Sequence, residues 1–171
     1  MRVVLYMAIT ANGLIAKPDD SNPFTSDEGW ESFFKKTQEI GNVIIGKTTF
    51  DVMNADKQIP LKNCFTIVVT HQKMIDGVEE NIFFTDRTPE WILTYLEEKG
   101  FKEALLAGGS QINSLFMEQN LVDEIYLDVE PVIFTKGIPL FASSFFEAEL
   151  SLLETKKLNS NTIQLHYKVK K

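Results

Sequence analysis

The stretch "LLAGGSQINSLF", residues 105–116, sets two adjacent glycines between an apolar run and a helix-like pattern. Glycine loses more backbone entropy on folding than any other residue, so a pair marks a place where bare backbone is needed. The apolar run reads as a strand and the following segment as a helix. A strand-to-helix turn leaves N–H groups unpaired at the positive end of the helix dipole, which suits a phosphate or another anion. The motif alone fits a tight turn without a ligand equally well.

The surrounding chain bounds the choice. It has 171 residues, 44% hydrophobic and 24% charged, as expected for one folded domain spanning 1–171 with a sizeable core. A net charge of −7 argues against a nucleic-acid partner or an anionic membrane surface. Cys64 is the sole cysteine, so no internal disulfide and no Cys/His metal cluster is expected. The N-terminal apolar run is broken by Thr10, Asn12 and Gly13, and no stretch approaches the roughly 18 apolar residues of a membrane span. A cytoplasmic location is the expectation.

Outward from the glycine pair, strand and helix signals alternate. "VVLYMAI" (3–9) is apolar on both faces, as in a buried strand. "TANGLIAKPDDSNPF" reads as a long loop. Ser26 is positioned to cap a helix carrying Trp30, Phe33, Phe34 and Thr37 on one face, with Gly41 as its stop. "NVII" (42–45), "CFTIVVT" (64–70) and "NIFFT" (81–85) read as strands. Thr88, Pro89, Glu90 and Gly100 punctuate a helix over 88–100. The end of the chain reads as a hairpin turning at Asn159-Ser160-Asn161. The pattern predicts an α/β fold with a mostly parallel sheet and antiparallel strands added at the end.

Residues 41–48, "GNVIIGKT", match the phosphate-loop pattern letter for letter. That motif needs an open loop after a strand, whereas Val43, Ile44 and Ile45 form an apolar β-type run after a helix. The second half is informative on its own account. Gly46 ends a strand, Lys47 brings a positive charge, and Thr48 or Thr49 is expected to cap a short helix, giving a second strand-to-helix anion site. Thr70, His71 and Lys73 follow a third buried strand, at the end where open α/β sheets gather ligands.

Taken in order, "MAITANGLIA", "VIIGKTTFDVM", "TIVVTHQ", "LLAGGSQI" and "LVDEIYLDVEPVIFTKGIPLF" resemble motifs of the dihydrofolate reductase superfamily. The likeness is nearest to the branch containing the riboflavin-biosynthesis reductase domain. It implies a three-layer fold that binds NADPH in extended form and serves an NADPH-dependent oxidoreductase, with a homodimer by analogy. By the same resemblance Gly108, Gly109, Ser110 and Gln111, with Ile112 following, cradle the diphosphate. Gly46, Lys47 and Thr48 hold phosphate groups, Thr70 and His71 lie near the adenosine, and Ala8 and Ile15 meet the nicotinamide. Asn12 and Gly13 lie in the loop over the substrate, and Trp30 stands close to the position where folate-reducing enzymes carry a carboxylate. No acid superposes there, so folate reduction is not the expected activity.

Tyr126, Asp128 and Glu130 share one strand face at period two. They form a solvent-exposed edge, or a pair of catalytic acids, one with a raised pKa and able to donate a proton, or acceptors for the amino groups of a pterin- or pyrimidine-like ring. A ribosyl phosphate on the substrate would call for groups such as Lys17, Lys136 or Ser143. The leading expectation is hydride transfer to a small heterocyclic or ribosylamino-pyrimidine-like substrate, with no metal. The rivals are a phosphotransferase using residues 41–48 and a non-catalytic NADPH-binding module.

Overall fold

The computed structural model describes residues 1–59, 61–71, 77–79 and 81–171. Along the chain run β1 (Arg2–Thr10), β2 (Leu14–Ala16), α1 (Asp27–Ile40), β3 (Asn42–Gly46), α2 (Lys47–Ala55), β4 (Phe65–Val69), β5 (Gly77–Glu79) and β6 (Ile82–Thr85). Then follow α3 (Pro89–Glu98), β7 (Glu103–Leu106), α4 (Ser110–Glu118), β8 (Glu124–Glu130), β9 (Ile138–Pro139), β10 (Leu150–Lys157) and β11 (Ile163–Val169).

Among the described residues nine strands form one sheet in the order β10-β11-β8-β1-β7-β3-β4-β6-β5. The pairs from β8 through β6 are all parallel, while β11 joins β8 and β10 antiparallel and β5 joins β6 antiparallel. Strand alternation divides the apolar residues of the sheet between two cores. Val3, Leu5, Ile44 and Leu106 face Ile92 and Leu96 of α3 and Phe116 of α4. Val4, Tyr6, Val43, Ile45 and Leu105 face Phe33 of α1 and Met53 of α2. The result is a three-layer α/β/α architecture with the expected C-terminal hairpin.

Three details differ from expectation. The stretch read as a long loop contains β2, which pairs with β9 more than 120 residues later, Leu14 opposite Pro139. So short a pairing has no periodic signature. β5 was not anticipated either, for the same reason. Third, α2 starts at Lys47 with Gly46 as its N-cap, and no side chain caps it. Thr48 and Thr49 therefore lie inside the first turn. The phosphate-loop reading of 41–48 fails sterically: Asn42–Gly46 is a wholly buried strand paired with β4, and its Ile44 lies opposite Leu106 of β7. Its backbone has no freedom to wrap an anion.

Helix α1 is tied to the sheet at its first residue. Ser26 caps it, its hydroxyl accepting from the Gly29 N–H at 3.2 Å. Glu130, at the end of β8 and 1% exposed, binds the cap: its Oε1 accepts from the Ser26 N–H at 3.0 Å and the Ser26 hydroxyl at 2.8 Å. Its Oε2 accepts from the Thr162 hydroxyl at 2.8 Å. Glu130, expected as a second catalytic acid, does not border the cleft that Asp128 lines, and its two oxygens join α1, β8 and the C-terminal hairpin. Glu130→Ala leaves three donors unsatisfied and is expected to cost about 3 kcal/mol in urea unfolding, whereas Glu130→Gln, which keeps an acceptor toward Ser26, costs about 1 kcal/mol. Equal losses for the two variants would refute this role.

Candidate active site

Because β8, β1, β7, β3 and β4 run parallel, their carboxyl ends lie along one edge of the sheet. A cleft of about 1100 Å³ opens there. Most of the residues singled out in the sequence border it: Ala8, Ile15, Trp30, Gly46, Lys47, Thr48, Thr70, His71, Gly109, Ser110, Gln111, Ile112 and Asp128. Ser143 borders it as well. Gln72 and Lys73, next to His71, lie outside the described residues.

Gly108 and Gly109 lie where β7 turns into α4. Gly108 has φ +85°, and a Cβ there would come within 2.9 Å of the Met7 sulfur. Both the conformation and the space require glycine. Its carbonyl accepts from the Gly46 N–H at 2.7 Å, which holds the β3–α2 and β7–α4 turns side by side. A Cβ on Gly46 would sit 3.3 Å from Ile112 Cγ1 and 3.7 Å from the Gly109 nitrogen, in the gap between the two helix starts. Neither helix has a side-chain cap at its N-terminus. Among the described residues Ser110 Oγ, buried there, finds no hydrogen-bond partner. Two uncapped helix starts, an unpartnered buried hydroxyl and bare backbone make a donor-rich cradle suited to linked phosphates. Lys47 is less available than expected, since its ammonium bridges Asp51 Oδ1 at 2.5 Å and Oδ2 at 2.7 Å.

On the β1–β8 side, register dictates the polar floor. Asp128 lies opposite Ala8 of β1 and opposite Gln164 of β11. The Tyr6 hydroxyl lies 2.7 Å from Asp128 Oδ2, and the Gln164 amide donates to Asp128 Oδ1 at 2.8 Å. Ser32 Oγ stands 2.8 Å from the Tyr6 oxygen, so the network continues into α1. Asp128 is 0% exposed, which excludes the solvent-edge reading of this strand face. Burial pushes its carboxyl up to about 6, against the hydrogen bonds from Tyr6 and Gln164 that favour the charged form; nearby Glu130 raises it further. Burial and the neighbouring Asp128 also push the Tyr6 phenol well above its ordinary value.

Some expected residues fall elsewhere. Asn12 and Gly13 do not border the cleft; they form a turn pinned by the Asn12 amide donating to the Phe134 carbonyl at 2.6 Å and the Gly13 N–H donating to the Thr10 carbonyl. Lys17 and Lys136 do not border it either, and the Lys17 ammonium lies over the Phe134 ring at 5.6 Å. Sequence reasoning passed over Tyr6, Gln164 and Asp51. The hydroxyl of Tyr6 inside an otherwise apolar strand was a usable signal, whereas Gln164 becomes meaningful only through its register with Asp128.

The fold and the cleft define a member of the dihydrofolate reductase-like superfamily. The family model of the RibD C-terminal domain matches residues 1–164, and the chain belongs to that family. It is 28% identical to "Uncharacterized protein YwjB" of Bacillus subtilis (strain 168), over 97% of each chain. Among solved structures it is similar to the diaminohydroxyphosphoribosylaminopyrimidine deaminase/5-amino-6-(5-phosphoribosylamino)uracil reductase of Thermotoga maritima, with a TM-score of 0.80 and 19% identity. That match covers 98% of this chain and 56% of the Thermotoga chain. A pyrimidine reductase-like protein from Corynebacterium diphtheriae gives a TM-score of 0.79 at 14% identity, covering 99% and 92% of the two chains.

The Asp128 carboxyl makes stability depend on pH with a definite sign. Its folded pKa of about 6 lies above its ordinary value of 3.8, so the protonated form favours the fold. That contribution is complete below the unfolded value and is lost as pH rises through about 6. At ~1.36 kcal/mol per unit it amounts to roughly 3 kcal/mol. Asp128→Asn preserves the shape and is expected to gain stability relative to the parent by about that amount between pH 4 and pH 7. The check is urea unfolding across that range; a stability difference independent of pH would disprove the assignment.

Proposed function

We propose that the chain is an NADPH-dependent reductase acting on a small heterocyclic or ribosylamino-pyrimidine-like substrate. The observation that carries this reading is the pairing within one cleft of a phosphate cradle, at Gly46–Thr49 and Gly108–Ile112, with a buried, hydrogen-bonded acid at Asp128. The reduced nicotinamide supplies the hydride when bound. The chain supplies position and a proton. Ser110 Oγ and the N–H groups opening α2 and α4 orient the diphosphate, and Lys47 offers its charge to the 2′-phosphate in competition with Asp51. Thr70 and His71 lie at the end of β4, on the adenosine side. Ala8 and Ile15 form an apolar wall for the nicotinamide, and Trp30 and Phe33 a flat wall for the substrate ring. Asp128 is the proton donor of this reading, and the Tyr6 hydroxyl, which donates to its Oδ2 in the ionised form, is the route for the proton's replacement.

The chain works as one domain, 1–171, and a second copy is the partner this reading supports. Strand β10 is a sheet edge exposing Leu152 and Leu153, and Phe145 is fully exposed nearby in sequence. Sedimentation is expected to show a dimer that Leu152→Glu dissociates; an unchanged monomer would refute the pairing.

Cofactor binding is tested by thermal shift and reduced-nicotinamide fluorescence with NADPH, NADH and Mg-ATP. Binding to the native state stabilises by about 2.7 kcal/mol at a hundredfold excess over Kd. NADPH is expected to bind more tightly than NADH, and Lys47→Ala to weaken NADPH about tenfold. A response to Mg-ATP alone would overturn the NADPH reading. NADPH binding without reduction of any heterocycle would favour a non-catalytic module.

A further inference from the structure

We propose that the substrate half of the cleft takes a nitrogen heterocycle that carries no phosphate; this rests on the reductase reading above and narrows its substrate. The strand order divides the cleft. Over β7, β3 and β4 stand the two uncapped helix starts, with His71, Lys47 and the Asp51 carboxylate that pairs with it. Over β1 and β8 the wall is the segment that leaves β2, beside β1, and ends at Ser26, bonded to Glu130 of β8. That segment brings Asp19 and Asp20 to the cleft, which Asp128 also borders. Asp19 is held in place, its Oδ1 accepting from the Ser21 N–H at 3.1 Å and hydroxyl at 2.6 Å.

Among the described residues bordering the cleft, Lys47 and His71 are the basic ones, and both belong to the cofactor half. Of the groups a ribosyl phosphate would have used, Ser143 borders the cleft as a neutral hydroxyl, while the two lysines do not: Lys17 lies over the Phe134 ring, close enough to Asp19 to act on it, and Lys136 is outside the cleft border. Among the described residues, a phosphate dianion in the substrate half meets the exposed carboxylates Asp19 and Asp20 with no basic side chain bordering that half, and like-charge juxtaposition selects against it. The same groups suit a flat ring bearing amino or imino hydrogens. Trp30 and Phe33 offer an apolar surface to the ring, and carboxylates accept hydrogen bonds from ring N–H groups or pair with a protonated ring. The cleft selects a nucleoside-like or smaller heterocycle over the corresponding nucleotide.

The test is calorimetric titration with uridine and uridine 5′-monophosphate, first on the NADPH-saturated protein and then without NADPH. Uridine is expected to bind at least about tenfold more tightly than the nucleotide, and the Asp19→Asn/Asp20→Asn double variant to shrink that ratio to about threefold. Equal or tighter binding of the nucleotide overturns the proposal, as does a ratio that the double variant leaves unchanged or failure of both ligands to bind. Loss of NADPH binding alone would overturn the reductase reading, while the ratio measured without cofactor still decides this one.

Discussion

Strand β1 is hydrogen-bonded on both sides to strands that arrive about a hundred residues later. Leu5 lies opposite Leu106 of β7 on one side and Ile125 of β8 on the other. The rest of the molecule depends on that double pairing. It lines up the carboxyl ends that open the cleft, assigns Leu5 and Tyr6 to opposite cores, and sets Ala8 against Asp128. A slip of one residue would send Tyr6 to the opposite core and break its contact with Asp128.

The same strand shows how two carboxylates two residues apart come to do different work. Asp128 and Glu130 share a face and both are buried, so each needs compensation for lost solvation. Glu130 stands at the strand end, where the start of α1 and Thr162 offer three donors, and it becomes a structural clamp. Asp128 lies one pleat inward, where Tyr6 and Gln164 are its partners and burial raises its pKa. Position along the strand separates a fastening from a candidate acid.

The glycine pair at 108–109 and Gly46 solve one problem together. Two helices begin side by side with their N–H groups unpaired, which is costly unless water or an anion satisfies them. The Gly46 N–H to Gly108 carbonyl bond holds the two turns in place, and the absence of side chains keeps the gap between them open. The unpartnered Ser110 hydroxyl adds a donor to a cradle that the protein itself leaves incomplete. Lys47 is restrained by Asp51, so backbone geometry dominates the electrostatics of this half.

Local chemistry made much of this legible before any coordinates. Ser26 and Thr88 announced their helices because capping uses neighbouring atoms, and "NVII" read as a strand because its apolar run has no polar face. The ordered motifs from Ala8 to Phe141 pointed to the family and to a cofactor cradle at the two strand-to-helix turns. Non-local contacts were hidden. β2 and β9 are too short to announce themselves, and Gln164 acquires its role only when β11 lies beside β8. The burial of Asp128, the commitment of Glu130 to a cap and the capture of Lys47 by Asp51 are likewise outcomes of packing. Sequence by itself determined the longer elements, the family and the backbone turns, because those rest on propensity and short-range bonding. Tertiary structure decided which acid is buried, which cation is paired and which half of the cleft holds the basic groups, because those depend on how the strands and loops are brought together.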